Sequence, residues 1–400
     1  MLRTLRKAEY AELMILFFIQ AAGMAVWFVP LGPILDQYGL HSIKAYAFAA
    51  AAVASFISPL IFGAMADRRV PPAKVLRFLA TCTALLMTGI SASLQFHVNR
   101  WFLLALIQVF YLFYSPMFSI STAIVFNRLA NARKEFGPVR SLATFGWMAG
   151  ALLVSLLALD RSAFACYLDA FLWLLVAAFT YFLPSLQMPV SAENLTWHER
   201  LGLDALTLLK RKEVRVVFLT TTLFNAPLCA FYPYAPTNLH DLGFNRTSAW
   251  MSLAQTTEVI GMFSLAWLLH NWRLKWIFTC GLALGLVRFL FGALNYEWSL
   301  LLNIILHGAS FVFVFITAQI YLDQNIEPSW RARAQALLTL MNGGVGNLIG
   351  YLGTGWWLDA CAHNGVNNWT RFWGGLALVI AGVMVYFLAA FRDRTGDKPN

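Results

Sequence analysis

Apolar runs of about 20 residues recur from one end of this chain to the other, separated by short polar gaps. A helix rises 1.5 Å per residue, so a run of about 20 apolar residues crosses a hydrocarbon core ~30 Å thick. Twelve runs qualify: 11–37, 44–66, 74–95, 100–128, 139–160, 163–184, 214–240, 245–270, 273–293, 297–322, 331–357 and 369–391. We number them span one to span twelve. The pattern predicts an all-α integral membrane protein. Its longest gap, 185–213, divides the chain into an N-terminal six-helix bundle (1–184) and a C-terminal one (214–400). Within that gap Leu201, Ala205, Leu208 and Leu209 recur at i, i+4, i+7 and i+8, which predicts an amphipathic helix lying on the membrane surface.

Composition agrees with this pattern. Of the 400 residues, 60% are hydrophobic and 12% charged, about half the charged share of an ordinary soluble domain. The net charge of +10 would suit a nucleic-acid binder only if it formed a basic face on a folded domain. Here the basic residues sit in the gaps. With the N-terminus cytoplasmic, 22 of the 29 Lys and Arg fall on the cytoplasmic side and five on the other. Positive-inside bias therefore predicts an inner-membrane protein with both termini cytoplasmic. Met1–Lys7 runs into span one without a small-residue cleavage site, so span one is read as retained. Cys82, Cys166, Cys229, Cys280 and Cys361 are scattered, with no spacing that suggests a metal or a disulfide framework. No acid–base pair or nucleophile elbow marks an enzyme. No gap is long enough for a soluble sensory domain.

An ionisable group inside a span costs at least ~2.5 kcal/mol on insertion scales and so calls for a reason. Glu258 sits in the middle of span eight, with Gln255 one turn earlier on the same face. It is read as a cavity-lining group that binds substrate or carries a proton; the plainer alternative is a structural carboxyl between helices. Arg140, Thr144 and Trp147 share a face of span five, although Arg140 is near enough to the span's end to be a snorkelling anchor. Span seven carries Pro227, Pro233 and Pro236, which permit a bend, and aligns Asn225, Cys229 and Tyr232. Span ten aligns Asn303, His307 and Phe311, where His307 is either a packing residue or a titrating one. Span one aligns Gln20, Gly23 and Trp27. Span four aligns Tyr111, Ser115, Phe118 and Thr122, a stripe that packing alone explains. Span eleven is rich in small residues at helical spacing, which favours close helix approach. Amides, aromatics, one Arg and one Glu suit a flat, polar, uncharged ligand.

The six-plus-six plan and Gly63-Ala-Met-Ala-Asp67-Arg68 after span two resemble the major facilitator superfamily; the matching loop after span eight, Leu269-His-Asn-Trp-Arg273, is degenerate. More specific segments are Pro138-Val-Arg140-x-x-x-Thr144-x-Gly146, Leu201-Gly-Leu-Asp-Ala-Leu206, Gln255-x-x-Glu258, Arg288-Phe289 and Pro328-x-x-Arg331-x-x-x-Gln335. Gln20, Trp27, Leu31-Gly32 and Tyr114-x-Pro116 join them. On these residues the chain resembles the nucleoside:proton symporters of that superfamily. The resemblance implies import of a nucleoside by alternating access, coupled to protons, by a monomer that needs no cofactor beyond the proton gradient. A sugar or modified-nucleoside carrier, or an uncoupled facilitator, is the alternative. It implies substrate contacts from Arg140, Thr144, Trp147, Gln255, Glu258 and Phe311. Gln20, Trp27, Asn225, Tyr232 and His307 complete the expected site. The chain departs from the family in span seven, where Cys229 and Tyr232 replace amides. It departs again in span ten, where Val312 stands in place of an Asp and His307 in place of a Tyr. The expectation is that Glu258 carries the coupled proton, with His307 as helper.

Overall fold

In the computed structural model, residues 2–66, 70–129, 132–183, 196 and 203–392 are described. Each of the twelve expected spans is helical. Among the described residues, eight helical stretches of 18 to 30 residues are each long and apolar enough to cross a membrane. Spans two, three, nine and twelve are single helices, Lys44–Ala66, Pro72–Gln95, Leu274–Leu294 and Trp369–Ala390. Asp67 to Arg69 of the loop after span two lie outside the described residues, as does Leu201 of the linker. Of the expected amphipathic helix, Leu203–Lys210 is described, and it is a 3-10 helix with Ala205 buried. At three residues per turn, Ala205 and Leu208 still share a face, while Leu206 is exposed.

Several spans are broken, and proline explains where. Span four runs as Arg100–Tyr114 and Met117–Arg128 around Pro116. Proline has no N–H to give the carbonyl four residues back. That carbonyl, on Leu112, instead accepts a hydrogen bond from Ser58 Oγ of span two at 3.0 Å. Span seven runs as Lys212–Leu228 and Phe231–Asp241, and Pro233 leaves the Cys229 carbonyl without its helical donor. Spans ten and eleven instead contain π-helical turns, Val312–Ile316 and Leu340–Gly346. Such turns widen a helix locally and are common at functional sites.

Contacts divide the chain into two compact units: Met1–Asn194 with Arg246–Ser252, and Leu195–Asn245 with Leu253–Asn400. The short segment joins the first unit because its helix, Thr247–Met251, begins there without a side-chain cap of its own. Asp160 Oδ1 accepts from Ser248 N–H at 2.7 Å and Ser155 Oγ accepts from Ala249 N–H at 2.9 Å. Ser155 in turn donates to Asp160 Oδ1 at 2.8 Å. These are first-turn donors that a helix leaves unmet.

Glycine sets the closest helix approaches. Gly146 and Gly150 on span five lie against the carbonyls of Phe18 and Ala22 on span one, where a Cβ would collide with backbone. In the second unit Gly308 of span ten does the same against Ala254 and Glu258 of span eight. Gly346 and Gly350 of span eleven face Asn225 and Cys229 of span seven, with a Cβ at Gly350 only 2.6 Å from Cys229 Sγ. The small-residue spacing of span eleven anticipates that contact.

Candidate functional site

The second unit carries a connected polar cluster. The break in span seven turns Phe231 and Tyr232 inward at the start of its second half. Phe231 stacks on the His307 ring with centroids 3.9 Å apart and planes 12° from parallel. Beside this stack lies Arg288 of span nine, fully buried. Its guanidinium rests 4.7 Å from the ring centroids of both Phe231 and Phe289, a distance at which a cation is attracted to the ring face. Arg288 Nε donates to Asn303 Oδ1 at 2.9 Å, and its Nη1 donates to His307 Nδ1. A neutral imidazole that accepts at Nδ1 carries its proton on Nε2. His307 therefore serves here as an acceptor that holds Arg288.

Gln255 and Glu258 come from span eight on the same helix, Leu253–Asn271. Gln255 is buried, and its Nε2 donates to Tyr232 Oη at 3.5 Å, a long hydrogen bond. Glu258 is half-buried and interacts electrostatically with Tyr232. Gly308 lets the backbone of span ten touch span eight at Glu258 itself. The cluster keeps some capacity unused. Gln255 Oε1, Arg288 Nη2 and Asn303 Nδ2 are buried without a hydrogen-bond partner. One acceptor and two donors are what a polar, uncharged ligand would meet. Phe311 extends the aromatic surface, 6.4 Å from His307 and 4.9 Å from Phe315.

Other residues expected at the site have different surroundings. Asn225 donates through its amide nitrogen to Asn342 O at 2.9 Å and to Asn347 Oδ1 at 2.6 Å. Cys229 Sγ donates to the same Asn347 oxygen at 3.3 Å, and Thr222 Oγ1 donates to Asn342 Oδ1 at 3.1 Å. These bonds tie span seven to span eleven, and both amide hydrogens of Asn225 are spent there. Val312, the departure in span ten, is fully buried in an apolar cluster with Leu265, Ile277 and Phe313.

In the first unit, the glycine contacts bring spans one and five together. Arg140 is exposed, with its guanidinium 4.6 Å from the Phe118 ring centroid. Thr144 and Trp147 are half-buried one and two turns further on, and Trp147 meets Phe28 edge-on at 6.1 Å. Trp27 is buried; its Nε1–H donates to Tyr111 Oη at 3.3 Å and its ring packs on Phe110. Gln20 lines a small cavity with Met24, Tyr114, Ser115, Met117, Phe118 and Trp173. Both polar atoms of the Gln20 amide are buried without a partner.

Among the described residues, two fully buried charged residues were given no role from the sequence. Arg288 was noted only as part of a motif, because its depth in span nine does not reveal what faces it. Asp169, in the helix Phe164–Phe179 of span six, is fully buried with neither carboxyl oxygen bonded. An Asp inside an apolar run was the available signal.

Comparison with known proteins bears on this geometry. Residues 8–396 match the family model described as Nucleoside H+ symporter. The chain is 30% identical to the putative nucleoside transporter YegT of Escherichia coli K12, over 97% of this chain and 95% of that protein. It is 26% identical to the nucleoside permease NupG of Escherichia coli K12, over 95% and 94% of the two chains. A crystal structure of the nucleoside transporter NupG, in mutant form, superposes with a TM-score of 0.88 at 23% identity, covering 96% of this chain and 100% of that one. At that identity the superposition speaks for the shared fold.

Proposed function

The chain belongs to the nucleoside H+ symporter family, and from that premise we propose which of its residues do the work. The protein is a multi-pass membrane transporter of the major facilitator fold that imports nucleosides with protons by alternating access. In our reading Glu258 carries the coupled proton. The observation that carries this is its position: a half-buried carboxyl on a span-eight face shared with buried Gln255, held by Gly308 against the span that bears His307 and Phe311. With Val312 packed in an apolar cluster, span ten offers no carboxyl at that position.

Gln255 Oε1 and Arg288 Nη2 supply an unpaired acceptor and donor for the ligand in the second unit, with Phe311 as an apolar face. Arg140, Thr144, Trp147 and Gln20 serve the substrate from the first unit. His307 acts by fixing Arg288 through Nδ1. The charge asymmetry of the gaps supports a bacterial inner-membrane location with both termini cytoplasmic. We take the transporting unit to be a monomer.

The test is Glu258→Gln in proteoliposomes. The expected result is loss of pH-gradient-driven uridine accumulation, at least tenfold, while exchange of labelled for unlabelled uridine without a gradient persists. Accumulation at the wild-type level would remove the proton from Glu258.

A further inference from the structure

Asp169 lies about 8 Å along its helix from Phe164, at 1.5 Å per residue. It abuts Gly23, near the middle of span one: a Cβ at Gly23 would sit 3.4 Å from Asp169 Oδ1 and 3.5 Å from Trp173 Nε1. A carboxyl at this depth can accept about four hydrogen bonds when ionised. Neither Asp169 oxygen has a hydrogen bond of ordinary geometry, and nor has the indole N–H of Trp173, one turn further along the same helix, although the indole lies close enough to interact with the carboxyl. No Lys, Arg or His faces it among the described residues. The titratable groups that do are Tyr111 and Tyr114 from span four and Cys166 on its own helix. From spans one and three, which pack against its helix, no charged side chain interacts with it among the described residues.

An ionised carboxylate in such surroundings costs several kcal/mol. A structural role offers little to offset that cost, because the one neighbouring donor, the Trp173 indole N–H, sits on the same helix and ties no other element to Asp169. A protonated carboxyl is neutral and fits. The means of ionising it lie alongside. Trp173 also lines the cavity that holds the unpaired Gln20 amide and Tyr114, and that cavity has room for water. A modest turn of the Asp169 side chain would let a carboxylate accept from the waiting Trp173 N–H. The donor is present, unpaired and next to the acceptor, which suits a group that alternates between two protonation states.

We propose that Asp169 is a second proton-carrying carboxyl, built wholly within the N-terminal bundle, with Trp173 as the donor that receives it when ionised and the Gln20 cavity as its route to water. The proposal rests on the proton-coupled reading of the protein and is separate from the assignment of Glu258. The step is a proton transfer alone: the carboxyl O–H bond breaks, and the proton leaves on water in the cavity.

The test uses the purified full-length transporter in proteoliposomes containing a pH-sensitive dye. Uridine-evoked proton influx, gradient-driven accumulation and uridine exchange are measured for wild type, Asp169→Asn, Asp169→Glu and Glu258→Gln. The proposal expects Asp169→Asn to lower proton influx and accumulation at least tenfold while exchange falls less than about threefold. It expects Asp169→Glu to restore proton influx with a shifted pH midpoint. Equal loss of exchange and accumulation in both Asp169 variants would make the residue structural and overturn the proposal, as would wild-type proton influx in Asp169→Asn. No proton influx in the wild type would overturn proton coupling itself, and this proposal with it. Wild-type influx in Glu258→Gln, with loss in Asp169→Asn, would uphold Asp169 and sink the Glu258 assignment.

Discussion

Each bundle buries polar groups at membrane depth, but the two do so in opposite ways. In the second, Arg288 draws Asn303 and His307 into one hydrogen-bonded group and rests on two aromatic faces. Within that cluster, among the described residues, Gln255 Oε1, Arg288 Nη2 and Asn303 Nδ2 are left over. In the first, the side chains of Gln20, Asp169 and Trp173 are packed near one another without a hydrogen bond of ordinary geometry. Interhelical hydrogen bonds in membranes contribute about 0.6–2 kcal/mol each, whereas an unpaired buried polar group costs about 1–3 kcal/mol. The second cluster thus contributes to folding while presenting a few selected atoms. The first weakens the fold, and its polar groups earn their place only through function.

The largest expected effect separates these roles directly. Arg288→Met keeps the length of the side chain but strands Asn303 Oδ1 and His307 Nδ1 and removes both cation–ring contacts. We expect a stability loss of about 2–3 kcal/mol, read as a lowered midpoint of thermal unfolding in detergent, together with lost uptake. An unchanged midpoint would mean that the cluster is not a structural unit, and the contrast between the bundles would collapse.

How much of this was open to reading from the sequence follows from the same contrast. The twelve spans were legible because the bilayer demands about 20 apolar residues in a row whatever they pack against. The break in span seven was legible too, because Pro227, Pro233 and Pro236 permit a bend; the break in span four was not drawn from the sequence, although Pro116 lacks the donor that explains it. The π turns at Val312 and Leu340 were not, since no residue type demands them. Within the site, helical spacing placed Gln255 with Glu258 and His307 with Phe311, because one helix fixes its own faces. It could not tell that Asn225 spends its amide on Asn342 and Asn347, nor that His307 accepts from Arg288. Those partners are 117 to 122 residues away for Asn225 and 19 for His307, on other helices. Periodicity says which way a side chain points and nothing about what meets it.

The next effect is smaller, and it falls on transport rather than on stability. Gln20→Leu replaces an amide that bonds to nothing with an apolar group of similar size. Removing an unsatisfied buried amide should leave the unfolding midpoint unchanged or raise stability by about 1 kcal/mol. If Gln20 meets the substrate, KM for uridine should rise at least fivefold. A midpoint that falls as far as in Arg288→Met would show Gln20 to be paired in the working protein, and would make the two bundles alike.

The smallest effect concerns Trp27, which shares a helical face with Gln20 and yet belongs to different surroundings. Its ring is buried against Phe110 and its N–H is spent on Tyr111, so nothing polar on it is left for a ligand. Trp27→Phe keeps an aromatic ring and removes the hydrogen bond. The expected cost is about 1 kcal/mol, from one interhelical bond and a slightly smaller ring, and KM should stay within twofold of wild type. A KM change as large as that of Gln20→Leu would place Trp27 at the substrate after all. A stability loss without a KM change would leave it in the packing between spans one and four, and would confine ligand contact on span one to the residue whose amide is still unpaired.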